Sequence, residues 1–193
     1  METFFAHILK NIEGLTLEEI SGLSEYMNFR TIPAGENYIE EGDFDTKFFY
    51  IKKGLFRIFC LFENGEEKTI LFRWESCFMG NYDGIIYKKP SRFFYQALEE
   101  VELLEMDYSV LESYLNKNLN LSNIRSNVML SMIGDLLRRN ENFILLNPEE
   151  RYRRRLEENE AIINRVPSKY LASLLGVTPV SLSRIKKRIF KGN

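Results

Sequence analysis

Histidine occurs once in the 193 residues, at His7, and cysteine only twice, at Cys60 and Cys77. A lone histidine excludes a histidine-rich metal centre, and His7 is expected on the surface of an N-terminal helix. Two isolated cysteines, neither in a Cys-x-x-Cys pair, exclude a disulfide framework, and both are expected to pack as small buried hydrophobes. No run approaches the ~18 apolar residues that span a bilayer. The opening METFFAHILKN has no basic region, long apolar core or small-residue cleavage site, so no membrane partner and a cytoplasmic location are expected.

What is present is the composition of a globular protein, 45% hydrophobic and 28% charged, in a length that suits one large domain or two modest ones. The formal net charge of −2 conceals an asymmetry. Residues 1–137 hold 13 Lys/Arg against 22 Asp/Glu, a net −9, whereas residues 138–193 hold 13 against 6, a net +7. That pattern suits a polyanion-binding module joined to a part that need not touch the polyanion.

Residues 2–10 and 16–27 have helical spacing, the second with Leu17, Ile20, Leu23 and Met27 inward. From Phe29 to about Met106 the pattern changes to short strands and turns. Phe48–Ile51 ends at Lys52-Lys53-Gly54, Leu55–Phe62 alternates around Arg57, and Asn64-Gly65 forms a hairpin turn before Lys68–Trp74. Phe93–Leu98 and Val101–Met106 are two further strands. Without crossover helices a parallel sheet is disfavoured, and a small antiparallel barrel or jelly roll is predicted.

Asp107 to about Arg139 is helical, with an asparagine-rich weak point at 116–123. Its broad apolar faces need a partner, either the barrel or the same helix of a second subunit, and the second is preferred. Glu149–Ile163 is another helix, with Arg151, Arg153, Arg154 and Arg155 expected on its surface, either paired with nearby glutamates or facing DNA phosphates.

The segment Val166–Ile189, VPSKYLASLLGVTPVSLSRIKKRI, reads as helix, tight turn, helix. Tyr170, Leu171, Leu174 and Leu175 share one face, Gly176 permits the turn, and Thr178 with Pro179 restarts the chain as N-cap and first helical residue. Leu182, Ile185 and Ile189 would pack, leaving Val180, Ser181, Ser183, Arg184, Lys187 and Arg188 to meet base edges or phosphates in a DNA major groove. Ser168, Lys169 and Thr178 complete the candidate DNA-contacting set. The alternative at this stage is a helical corner that only packs.

These motifs together resemble the Crp/Fnr superfamily of bacterial transcription regulators. The resemblance rests on Glu41-Gly42-Asp43, Phe49–Gly54 with Arg57, Asn64–Glu67 and Phe78-Met79-Gly80 in the first half. In the second half it rests on Val166-Pro167, Tyr170-Leu171-Ala172, Leu175–Thr178 and Leu182–Ile185. It implies an α+β chain: a cyclic-nucleotide-binding-like double-stranded β-helix sensor over 1–106, a dimerisation helix over 107–140 and a helix-turn-helix domain over 141–193. The implied function is a homodimeric regulator that reads palindromic double-stranded DNA and contacts RNA polymerase, gated by a small effector.

The resemblance also shows departures. Family members that bind cyclic AMP carry Gly-Glu and then an Arg followed by Ser or Thr; here the matching residues are Gly80-Asn81 and Ser91, with Arg92 one residue late. A buried cyclic phosphate needs a charge-assisted partner, so Gly80, Asn81, Ser91 and Arg92 are effector-pocket candidates and the effector is expected not to be cyclic AMP; the barrel either binds another small effector or serves only as a dimer scaffold. The cysteine cluster of iron–sulfur members is missing, and no cofactor is expected. The familiar Arg-Glu pair that begins the recognition helix is replaced by Pro179-Val180, which predicts a different operator, while Arg184 keeps the position of a second base-reading arginine. A scaffold whose C-terminal helices hold a protein partner is the alternative function. A cupin-type enzyme would need several convergent metal ligands, and no nucleophile–base set is visible.

Overall fold

The computed structural model describes residues 14–191; the helix expected over 2–10, His7 and the terminal tail lie outside the described residues. The first helix, α1 (Leu17–Ser24), begins at a capping box in which the Thr16 hydroxyl accepts the Glu19 N–H at 3.2 Å and the Glu19 carboxylate accepts the Thr16 N–H at 3.0 Å. Ile20 and Leu23 are its buried face.

Eight strands follow: β1 (Asn28–Ile32), β2 (Asn37–Ile39), β3 (Lys47–Lys53), β4 (Phe56–Leu61), β5 (Glu67–Arg73), β6 (Phe78–Gly80), β7 (Phe94–Ala97) and β8 (Val101–Asp107). They form two four-stranded sheets, ordered β1-β8-β3-β6 and β2-β7-β4-β5. In the first sheet β8 pairs antiparallel with both β1 and β3, placing Glu105 opposite Phe49 and Leu103 opposite Ile51. The expected antiparallel jelly roll is therefore present.

Local chemistry explains its corners. Gly54 has φ +98°, and a Cβ there would lie 2.5 Å from the Glu100 carbonyl oxygen, so the β3–β4 turn requires glycine on both counts. Gly65, at φ +80°, makes the β4–β5 hairpin turn. β4 departs from the expected alternation: Phe56, Arg57, Ile58 and Phe59 are all buried, so both faces of this inner strand are covered. Cys60 and Cys77 are half-buried instead of packed away, because β4 reaches solvent from Cys60 onward and Cys77 stands at a turn just before β6.

Five further helices are described after the strands. They are α2 (Tyr108–Leu115), α3 (Leu119–Leu145), α4 (Pro148–Arg165), α5 (Ser168–Leu175) and α6 (Pro179–Lys191). The asparagine-rich weak point is a break, and Asn118 restarts the chain by accepting the Leu121 N–H at 2.9 Å. Helix α4 opens at a second capping box, Asn147 with Glu150. It is interrupted at Asn159, whose backbone is non-helical and whose side chain accepts the Ile162 N–H at 3.2 Å.

The chain divides into two compact units: residues up to Ile58 with Phe72–Ile133, and Phe59–Leu71 with Gly134 onward. In the first, Leu23, Met106, Leu111, Tyr114 and Leu121 form one core cluster, and Ile20 and Tyr50 another. In the second, Tyr152, Ile162, Ile163, Val166, Leu171, Leu175, Leu182 and Ile185 are buried. Arg151 was expected on the surface, but its guanidinium donates to the Phe143, Leu146 and Leu175 carbonyls at 3.0, 2.9 and 2.9 Å. Orphan carbonyls at helix ends need donors, and one charged fork supplies three. Also within this unit, the Ser173 hydroxyl accepts the Thr69 N–H at 2.9 Å and donates to the Glu67 carbonyl at 3.3 Å.

Candidate nucleic-acid interface and effector site

Helices α5 and α6 have the expected turn between them. Gly176 adopts the left-handed conformation at φ +71°, and its N–H returns to carbonyls of α5. Thr178 then caps α6, its hydroxyl accepting the Ser181 N–H at 3.1 Å, and Pro179 occupies the first helical position. Leu182 and Ile185 are buried on one side of α6. With ~100° per residue, Val180, Ser183, Arg184, Lys187 and Arg188 fall on the opposite side, and all five are exposed.

The nine candidate DNA residues are not equivalent. Ser181 is half-buried, with its hydroxyl 3.0 Å from that of Thr178, so both serve the helix start. Ser168 accepts from the Lys186 ammonium at 3.3 Å, and the Lys169 ammonium rests 4.5 Å from the Tyr170 ring centre. Arg188 pairs with Glu149 at 2.9 Å. Among the described residues Ser183, Arg184 and Lys187 make no such pair, which leaves them with Val180 as the face open to a ligand. Of the arginines on α4, Arg153, Arg154 and Arg155 pair with Glu149, Glu157 and Glu158.

The four effector candidates lie together in the first unit, around a one-turn π-helix, Asp83–Tyr87. Gly80 ends β6, and a Cβ on it would come within 2.7 Å of the Ile85 side chain. Asn81 is fully buried, with both side-chain amide atoms lacking a hydrogen-bond partner. Ser91 is buried and its hydroxyl donates to the Phe93 carbonyl at 2.8 Å. The exposed Arg92 guanidinium turns onto buried Asp83, donating from Nε at 3.1 Å and Nη2 at 2.8 Å, while its N–H reaches the same carboxylate at 3.0 Å. The hydrogen bonds from Arg92 outweigh desolvation and hold the Asp83 carboxyl below its usual range. A phosphate approaching Arg92 therefore meets an internal carboxylate already in place.

The sequence reading overlooked a second polar group in this unit. Glu105 is buried and accepts from the Tyr38 hydroxyl at 2.5 Å, Arg30 Nε at 3.1 Å and Lys47 Nζ at 3.3 Å. Burial pushes its pKa upward, but the bonds from Tyr38 and Arg30 and the charge of Lys47 prevail, and the net direction is down. Burial and the bond to Glu105 raise the Tyr38 hydroxyl far above its ordinary range. Strand parity carried the signal: Val101, Leu103 and Glu105 share one face of β8, so a carboxylate sits where two buried hydrophobes set the pattern.

A cavity of about 130 Å³ lies elsewhere in the unit, lined by side chains including Leu15, Phe78, Tyr108, Val128 and Met132, with Arg125 the only charged lining residue among the described residues. Its apolar walls suit a small apolar ligand better than a nucleotide. Among the described residues, no group of three or more His, Cys, Asp or Glu side chains is placed to hold a metal ion. None of the helices there is long and apolar enough to cross a membrane.

Residues 29–118 match the family described as the cyclic nucleotide-binding domain. No curated protein matches the chain. Among solved structures, the c-di-GMP responsive global regulator CLP of Xanthomonas campestris is 19% identical, with 92% of this chain and 93% of that one covered and a TM-score of 0.70. FixK2 from Bradyrhizobium japonicum is 16% identical over 86% and 85%, with a TM-score of 0.70. A CooA mutant from Carboxydothermus hydrogenoformans is 16% identical over 91% and 84%, with a TM-score of 0.69. At these identities the likeness is one of fold, and it extends over both the sheets and the helices.

Proposed function

Taking residues 29–118 as a cyclic nucleotide-binding-type domain in a chain of Crp/Fnr architecture, we propose that the protein is a sequence-specific DNA-binding transcription regulator. The observation that carries this reading is the outward face of α6, where Val180, Ser183, Arg184 and Lys187 stand on a helix fixed by Leu182 and Ile185. Arg184 reads a guanine edge, Val180 meets a thymine methyl, and Lys187 neutralises a phosphate. The net +7 of residues 138–193 supports the same assignment.

The active form on this reading is a homodimer. Helix α3 exposes Leu130, Leu137 and Ile144 in one seven-residue column and Met129, Leu136 and Phe143 in the next, with Ile133 between them. Such a stripe suits a parallel helix pair under two-fold symmetry, and it carries two recognition helices to the halves of a palindrome. RNA polymerase is a further partner of such a regulator.

The gating effector is a small molecule other than cyclic AMP. Asp83 occupies Arg92, and the 130 Å³ cavity offers apolar walls instead. Selection from a random duplex pool with ligand-free protein tests the main reading. Recovery of one palindrome with half-sites about 10 base pairs apart is expected and would show that no added effector is obligatory; retention without sequence preference at every salt concentration would leave only an effector-gated regulator or a scaffold.

A further inference from the structure

The 130 Å³ cavity of the first unit is walled on one side by Phe48 and Tyr50 of β3 and by Leu104 and Met106 of β8. Along β8 these positions alternate with Leu103 and Glu105, so the cavity lies on the other face of that strand from the Glu105 cluster. The same face packs against α1 and α2, where Ile20 meets Tyr50 and Leu23 meets Met106 and Leu111. None of Gly80, Asn81, Ser91 and Arg92 lines it. It is a separate place from the turn that carries those four.

The lining side chains with a polar tip, among the described residues, are Tyr50, Tyr108 and Arg125. Tyr50 is buried, whereas Tyr108 and Arg125 are half-buried, and Met129, one turn after Arg125 on α3, is exposed. The cavity therefore opens on the α3 side, beside Arg125. The Arg125 guanidinium makes no ion pair or hydrogen bond among the described residues, and neither does the Tyr108 hydroxyl. The two groups are neighbours: burial, followed by the charge of Glu112, raises the Tyr108 hydroxyl, and the charge of Arg125 acts against both.

We propose that this cavity binds a small straight-chain carboxylic acid, its tail among the apolar walls and its carboxylate at Arg125 and the Tyr108 hydroxyl. An apolar cavity of roughly 150 Å³ holds benzene, so this one takes a tail of about six to eight carbons with the head left at the mouth. Four methionines, Met27, Met106, Met129 and Met132, line it, and their unbranched side chains adapt to a flexible chain. A single guanidinium matches a singly charged head, whereas a phosphate calls for several donors. An uncharged ligand covering the mouth would strip water from Arg125 and return no partner.

The proposal names a ligand class for the effector reading above, on which its regulatory meaning rests; binding itself needs neither DNA nor a second subunit. Calorimetric titration of the full chain with octanoate, and with 1-octanol as an uncharged counterpart, tests it. One saturable octanoate site per chain is expected. Arg125→Gln is expected to weaken octanoate about tenfold and leave 1-octanol unchanged, and Tyr108→Phe, which keeps the ring, to weaken octanoate about threefold. Arg138→Gln, on the same helix but paired with Asp135 at 2.9 Å, is expected to change neither. If Tyr108→Phe fails to fold, Arg125→Gln at the half-exposed mouth gives the same reading.

Absence of saturable octanoate binding overturns the proposal and leaves the cavity to another part of the chain or to a second copy. Equal loss of octanoate and 1-octanol in Arg125→Gln overturns it as well, because the arginine then acts only as wall. Equal weakening by Arg138→Gln, the mark of diffuse charge attraction, does the same. A chain that binds octanoate at Arg125 but selects no operator upholds this site and removes the DNA reading instead, so the two failures are distinguishable.

Discussion

Arg92 and Arg184 are both exposed arginines beside a candidate ligand site, one in each compact unit. Arg92 has its guanidinium on a buried carboxylate, whereas Arg184 makes no ion pair among the described residues. The barrel unit turns its polar groups on one another, as Glu105 with Tyr38, Arg30 and Lys47 also does; α6 leaves Ser183, Arg184 and Lys187 without such a pair among the described residues. A charge already paired must surrender that partner before it can bind anything else. The unit matched to a ligand-binding family thus has the less available arginine, and the helices after it carry the unpaired one.

The contrast can be broken most severely at Arg151, the arginine of the second unit that turns inward. Arg151→Ala uncaps three carbonyls and is expected to cost about 3 kcal/mol of stability in a denaturant melt. A loss below about 0.5 kcal/mol would show that the three bonds are incidental. Arg184→Ala is next: a loss of about 1–3 kcal/mol on the best operator, with relaxed preference at one position in each half-site. Equal losses on specific and random duplexes would remove its base-reading role.

Asp83→Asn sharpens the other side of the comparison. Because Arg92 is largely exposed, the pair is screened, and a loss of no more than about 1 kcal/mol is expected at neutral pH. The folded carboxyl titrates below its unfolded value, so its contribution is complete above the unfolded pKa and disappears as pH falls through the folded one. The wild-type and variant melting curves should therefore converge in acid. Curves that stay parallel would deny the pair any role in stability. Lys187→Ala is the smallest change, a nearly uniform weakening on all duplexes with the salt slope reduced by about 1; an unchanged slope would mean no phosphate contact.

Legibility in the sequence followed range. Gly176, Thr178 and Pro179 were readable because a turn and a cap are decided within four residues, and α5 and α6 form where those signals place them. Asn64-Gly65 marked its hairpin for the same reason. The three-residue strands β2 and β6 are too short for periodicity, and the π-turn that brings Asp83 near Arg92 has no pattern of its own. Asn159 resembles any helical asparagine until its backbone is seen. Arg151 stood in a run of arginines that looked uniformly solvated, and its acceptors Phe143 and Leu175 lie 8 and 24 residues away. Charge patterning could locate the basic segment but not separate the arginine that holds helices from those that face solvent.

Strand β5 forms one border of its sheet, a place where backbone N–H and C=O groups can recruit a strand from another molecule. Ser173 bonds an N–H and a C=O of that strand with a single hydroxyl. A side chain of α5 thereby occupies backbone groups of a border strand on which a strand from another molecule could otherwise stack.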